Sequence, residues 1–138
     1  MSGYDPIARS RQPSDADYRR LLELRTGLRR FLKWSGELAE AAGLTPAQHQ
    51  LLLAVRGHPD PEPPTIGQLA EHLLLRHHST VQLVDRAEAA GLLTRTRDEA
   101  DHRVVRVALT PAGEGILASL AREHLEELRR IGRSFSDL

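Results

Sequence analysis

A mainly α-helical fold with one small β-hairpin is what this sequence predicts, and three observations predict it. Apolar residues recur at three- and four-residue steps through much of the 138-residue chain, the period of an amphipathic helix. Thr45-Pro46 with Gln48, and Thr65 with Gln68, are helix starts: a threonine oxygen caps the first turn, and a glutamine three residues on reaches back. Leu93–Arg97 and Arg103–Leu109 alternate as half-buried strands do, on either side of a charged tip.

Taken in order, residues 1–13 carry no periodicity and read as a flexible tail. Ser14 with Asp17 opens a long helix over about 14–42, whose stripe is Leu21, Leu24, Leu28, Phe31, Leu32, Leu38 and Ala42, ended by Gly43. A second helix from Thr45 to about Val55 packs Leu51, Leu52 and Val55. Gly57–Pro64 (GHPDPEPP) reads as a rigid, extended connection. The third helix starts at Thr65 and buries Ile66, Leu69, Ala70 and Leu73; the chain then turns at Leu74–Arg76 without a glycine. The fourth helix, about His77 to Ala90, stops at Gly91. After the hairpin, Thr110 and Pro111 start a last helix over about 111–135, striped by Leu117, Leu120, Leu125, Leu128, Ile131 and Phe135. Residues 14–138 thus form one expected domain.

Composition removes several classes of function. There is no cysteine, so disulfides, thiolate metal sites and cysteine redox chemistry are excluded. Residues 1–20 lack the apolar run of a secretory signal, and no segment reaches the roughly 20 apolar residues of a membrane span. A cytoplasmic protein without membrane association is expected. Lys+Arg and Asp+Glu balance at 19 each, and Lys33 is the single lysine. Zero net charge argues against a nucleic-acid binder, since such domains are often basic, but a neutral total can still hide a basic face. No phosphate-binding glycine loop, nucleophile elbow or convincing carboxylate pair is present, so no enzyme and no cofactor are expected.

Helix, helix, hairpin across about 45–110 is the order of a winged helix-turn-helix, which places side chains into DNA. On the fourth helix, the recognition helix of such a unit, the polar residues are His77, His78, Ser79, Thr80, Gln82 and Arg86. Gln82 suits adenine and Arg86 suits guanine or phosphate, while Ser79 and Thr80 can donate to phosphates or close the helix start. On the wing, Arg103 can enter a narrow minor groove, with Asp101 orienting its fork. Arg95, Arg97 and Arg106 are candidate phosphate neutralisers, and Thr65 caps a helix near DNA. A winged unit does not need two long flanking helices. Leu21, Leu24, Leu28, Leu117, Leu120, Leu125, Leu128 and Ile131 are therefore expected to join two copies of the chain. Two rival readings compete. One is a zinc-responsive regulator using some of the seven histidines. The other is a winged helix used only for protein–protein assembly.

Three segments carry a resemblance over roughly residues 15–135: LTPAQHQLLLAV, STVQLVDRAEAAGLLTR and DHRVVRVALTPAG. In them the chain resembles the MarR family of bacterial transcriptional regulators. It departs at Leu75-Arg76-His77-His78, where the family usually has a Leu-Ser type of turn, and at Ala87, where leucine is usual. The resemblance implies a homodimer joined through its terminal helices. It also implies repression through a palindromic double-stranded operator, released by a small organic, often phenolic, effector.

Overall fold

The protein is described by a computed structural model over residues 12–135; the side chains of 133–135 lie outside that description. The expected tail at 1–13 falls almost wholly outside it, as does the Phe135 side chain. The described chain forms five helices and two strands: α1 (Asp15–Ala41), α2 (Pro46–Arg56), α3 (Ile66–Leu73), α4 (His77–Ala89), β1 (Leu93–Arg97), β2 (Val105–Leu109) and α5 (Pro111–Phe135). Among the described residues no helix is long and apolar enough to cross a membrane.

The chain divides after Trp34 into two compact units. The first holds the early turns of α1. The Ser14 hydroxyl accepts from the Asp17 amide at 3.1 Å and the Asp17 carboxylate accepts from the Ser14 amide at 2.9 Å, so the expected capping box is formed. Phe31 and Trp34 lie with ring centroids 5.9 Å apart. Leu21, Leu24, Leu28 and Leu32 form an exposed apolar stripe.

The second unit carries the core. Leu51, Leu52 and Val55 from α2, Ile66 and Leu69 from α3, and Leu83, Val84 and Ala87 from α4 meet Leu92, Leu93 and Val107 of the hairpin. Leu117 and Leu120 of α5 also lie in this core, each 4% exposed. The sequence suggests that they join two copies of the chain; in the structure the core of the single chain already buries them. The early turns of α5 close the winged unit, and among the described residues only Leu125 and Leu128 beyond them are exposed leucines. Burying such a leucine contributes about 1.5–3 kcal/mol, so these two positions are occupied by the fold itself.

Both threonine-led starts form capping boxes, Thr45 with Gln48 and Thr65 with Gln68. Gly43 and Gly91 take the left-handed conformation at the ends of α1 and α4. The turn between α3 and α4 has no glycine, and Leu74 takes that conformation instead, at φ 55° and ψ 40°. The Leu75 amide then bonds back to the Ala70 carbonyl at 3.0 Å. Leu74 is 91% exposed, so its side chain gains little from packing while its Cβ strains the backbone. Leu74→Gly is expected to raise stability by about 1 kcal/mol, read as a higher urea midpoint. An unchanged or lower midpoint would refute the strain.

β1 and β2 pair antiparallel from Leu93↔Leu109 to Arg97↔Val105. β2 starts at Val105, two residues later than its alternation suggests, because Arg103 and Val104 belong to the tip. There the Asp98 amide bonds to the Val104 carbonyl and the Val104 amide to the Asp101 carbonyl, both at 2.9 Å. The connection at 57–64 bends rather than running straight, and its end lines the other edge of β2: Val107 donates to the Pro64 carbonyl at 2.9 Å.

A buried polar group lies where α2, α5 and the end of α1 meet. His49 is 3% exposed and its ring centroid is 4.9 Å from that of His124. The Nδ1 of His124 is 2.7 Å from the Leu120 carbonyl, which can only accept, so Nδ1 carries a proton; in the neutral ring Nε2 then accepts from the Ser35 hydroxyl at 2.7 Å. Burial first, and then the neighbouring His124, lower the pKa of His49 from its ordinary value. The folded state therefore binds fewer protons than the unfolded chain in the window just below about pH 6.5. Stability is full above that value and is lost as pH falls towards the lowered pKa. Denaturant midpoints of the wild type should drop between pH 7.5 and 5.5 by more than those of His49→Leu. Parallel curves for the two proteins would remove His49 as the cause.

Candidate nucleic-acid interface

α4 divides by burial into two faces. Thr80, Leu83, Val84 and Ala87 follow the three- and four-residue steps of one helix side and are buried. The other side carries His78, Ser79, Gln82, Asp85 and Arg86, all exposed; His77, also exposed, lies at the helix start on the side of the buried stripe, three residues before Thr80. Four of the six polar residues expected to face DNA are therefore presented together, and His77 is exposed beside them at the first turn. Thr80 is the correction. It is wholly buried as the first member of the core-facing stripe, and its hydroxyl donates back to the Arg76 carbonyl at 2.9 Å, so it has no access to a phosphate.

The wing arginines separate into outward and inward pairs. Arg103 points out, its side chain 91% exposed, and forks onto Asp101: Nε to Oδ1 at 3.1 Å and Nη2 to Oδ2 at 3.2 Å. Asp101 also accepts from the Arg103 amide, and these bonds, the guanidinium first, hold its carboxyl below the ordinary carboxylate value. Arg97 is exposed and donates to the His102 carbonyl at 2.8 Å.

Arg95 and Arg106 are not disposed as phosphate neutralisers. Arg95 meets two carboxylates of α4, Asp85 at 2.7 Å and Glu88 at 2.9 Å, while the second Glu88 oxygen accepts from the Arg95 amide at 3.0 Å. The Arg95 guanidinium is the main cause of the lowered Glu88 pKa. β1 is thereby strapped to the recognition helix. Arg106 is bound by Asp98 at 2.7 Å, Glu62 at 2.8 Å and the Pro63 carbonyl at 2.8 Å. A guanidinium with its donors engaged by carboxylates gives little to a phosphate. Thr65, besides capping α3, forms an isolated bridge to Arg106, so it fastens the wing edge to the start of that helix.

The carboxylates Glu62, Asp85, Glu88 and Asp98 are not singled out by the sequence. Asp85 and Glu88 stand three apart, which places them on one helix side, but nothing local names Arg95 as their partner. Asp98 has a signal: an aspartate at the start of a tip commonly bonds the backbone two residues on. Four of the seven histidines stand in pairs, His49 with His124 and His58 with His72. The Nδ1 of His58 is 3.0 Å from the Nε2 of His72, and among the described residues no three His, Cys, Asp or Glu side chains gather to hold a metal ion.

The span from α2 to the wing is a winged helix-turn-helix, with an exposed polar face on its second helix and an arginine at its wing tip. A MarR family model matches residues 42–104. A MarR family protein from Bacillus stearothermophilus is 31% identical, with 91% of this chain and 86% of that one covered and a TM-score of 0.70. The chain belongs to the MarR family. It is also 40% identical over 73 residues to the uncharacterized HTH-type transcriptional regulator YsmB of Bacillus subtilis, covering 53% of this chain and 50% of that protein. The fold matches that of the transcriptional repressor CouR bound to a 23-mer DNA duplex, at TM-score 0.69, 24% identity and 92% coverage of both chains. The chain spans about half the length of the curated relatives it matches.

Proposed function

We propose that this protein is a cytoplasmic, homodimeric transcriptional repressor that binds a palindromic stretch of double-stranded DNA and has no catalytic role. The observation that carries the reading is the exposed set His77, His78, Ser79, Gln82 and Arg86 on a helix strapped to a wing that ends in exposed Arg103. α4 enters the major groove, where Gln82 and Arg86 read base edges, and Arg103 enters the flanking minor groove. Two further features support the assembly. The leucines of early α1 are exposed, and so, separately, are Leu125 and Leu128 of α5. A second copy is the simplest cover for such stripes. Its two-fold symmetry makes the two recognition helices equivalent, as reading two half-sites about 34 Å apart, one turn of DNA, requires. Release of the operator by a small organic effector belongs to the same reading. Such a ligand acts only through unequal affinity for the bound and released arrangements.

Selection of bound duplexes from a random pool tests the proposal, with the mass of the protein measured in solution. The expected result is a dimer that enriches an inverted repeat with half-sites about one turn apart, and an affinity that falls steeply with salt. A stable monomer, or no enrichment at any salt, would overturn it. The latter result, with the dimer intact, would favour the protein–protein module instead.

A further inference from the structure

Three acidic residues, Asp98, Glu99 and Asp101, stand among the wing arginines, where negative charge opposes a phosphate backbone. Asp98 is the one on which other groups converge. Its Oδ1 accepts from the backbone amides of Ala100 at 2.8 Å and Asp101 at 3.0 Å, closing the tip turn. Its Oδ2 takes the Nε of Arg106 at 2.7 Å. Arg106 is itself anchored to Glu62 and the Pro63 carbonyl. A single run of bonds therefore leads from the 57–64 connection through Arg106 and Asp98 to the amide of Asp101, and from the Asp101 carboxylate to the fork of Arg103. The Asp98 side chain is 15% exposed, turned into the hairpin rather than towards a ligand.

We propose that Asp98 is a positioning residue for DNA binding: without touching DNA, its carboxylate fixes the tip turn that presents Arg103 to the minor groove. The inference rests on the reading of the chain as a DNA-binding protein. Arg106, and then the two backbone amides, lower the pKa of Asp98 from its ordinary value, so the group is ionised at neutral pH. Charge and position then make opposite demands. Removing a negative charge near phosphates tightens binding if charge is all that matters. Removing the hinge of the tip weakens it.

The test compares Asp98→Ala in the wild-type and Arg103→Ala backgrounds, with two readouts. The first is affinity for the selected duplex at fixed salt. Asp98→Ala should weaken binding about 10-fold or more in the wild-type background, the scale of a lost hydrogen bond to a charged group. It should have no further effect once Arg103 is gone, because the two act in series. Unchanged or tighter binding, or a loss that simply adds to that of Arg103→Ala, overturns the proposal. The second readout needs no DNA: amide exchange at Ala100 and Asp101 should quicken in Asp98→Ala while core amides stay protected. Unchanged exchange at those two amides overturns the proposal by itself. Failure of the wild type to bind any duplex is a different result, and it overturns the DNA-binding reading together with this one.

Discussion

Arg103→Ala is expected to weaken operator binding by roughly 10- to 100-fold while leaving the fold and the assembly untouched, the range set by the ~1–3 kcal/mol of a specific base-level contact. The side chain is 91% exposed and its partner is Asp101 two residues away, so no core contact is lost with it. An exposed pair of this kind adds little to stability. What the pair does is fix direction: Asp101 takes the Arg103 amide and two nitrogens of the guanidinium, which limits the rotamers of a long side chain. A pre-ordered arginine loses less freedom on entering a groove. Arg103→Lys keeps the charge but not the fork, so it should fall between wild type and alanine. The measurement is a titration of labelled duplex at one stated salt concentration, beside a thermal melt and a mass in solution. Equal affinity for wild type and alanine would remove the wing tip from the interface.

Local signals are legible in the sequence wherever the physics is local. The capping boxes at Ser14, Thr45 and Thr65 are contacts over three residues, and all three form as their spacing indicates. The alternation around the wing and the stop at Gly91 are of the same kind. Pairing between elements is not legible. Arg95 and Arg103 look alike in the sequence, yet one is strapped to α4 and the other points outward. Successive strand residues alternate in face, and only the packed structure says which face meets the helix. Thr80 is polar and so suggests an outward position. Its place at the head of the stripe Thr80, Leu83, Val84 and Ala87 decides otherwise, and a hydroxyl that bonds back to Arg76 can be buried without penalty. The stripe of α5 likewise looks like one surface with one purpose. In fact its first part serves the core and its later leucines are exposed, a division set by where the winged unit ends rather than by any change in the pattern.

The same junction makes Gly113→Ala the substitution with the largest expected effect on stability. Gly113 is buried in the first turn of α5, and a Cβ there would stand 2.0 Å from the Leu92 carbonyl oxygen and 3.0 Å from its carbon. Both are backbone atoms, so no side chain can rotate away. The approach is held from several directions. The Thr110 amide donates to that same Leu92 carbonyl at 3.1 Å, and the Thr110 hydroxyl donates to the Gly91 carbonyl at 2.6 Å and accepts from the Gly113 amide at 3.1 Å. These bonds seat the start of α5 against the base of the wing, and Leu117 and Leu120 enter the core from that seat. A methyl group must push α5 from the hairpin, with a cost of about 3 kcal/mol or more, at the upper end for overpacking, and a melting point lower by roughly 10 °C for a chain of this size. Gly115, two residues on, supplies the control. It is exposed, and a Cβ added there would meet nothing within 4 Å, so Gly115→Ala should stabilise α5 by about 0.5–1 kcal/mol through helix propensity alone. Urea midpoints that fall in the order Gly115→Ala, wild type, Gly113→Ala are the expected result. A Gly113→Ala protein as stable as the wild type would mean that α5 does not seat against Leu92, and that the wing and α5 are coupled in some other way.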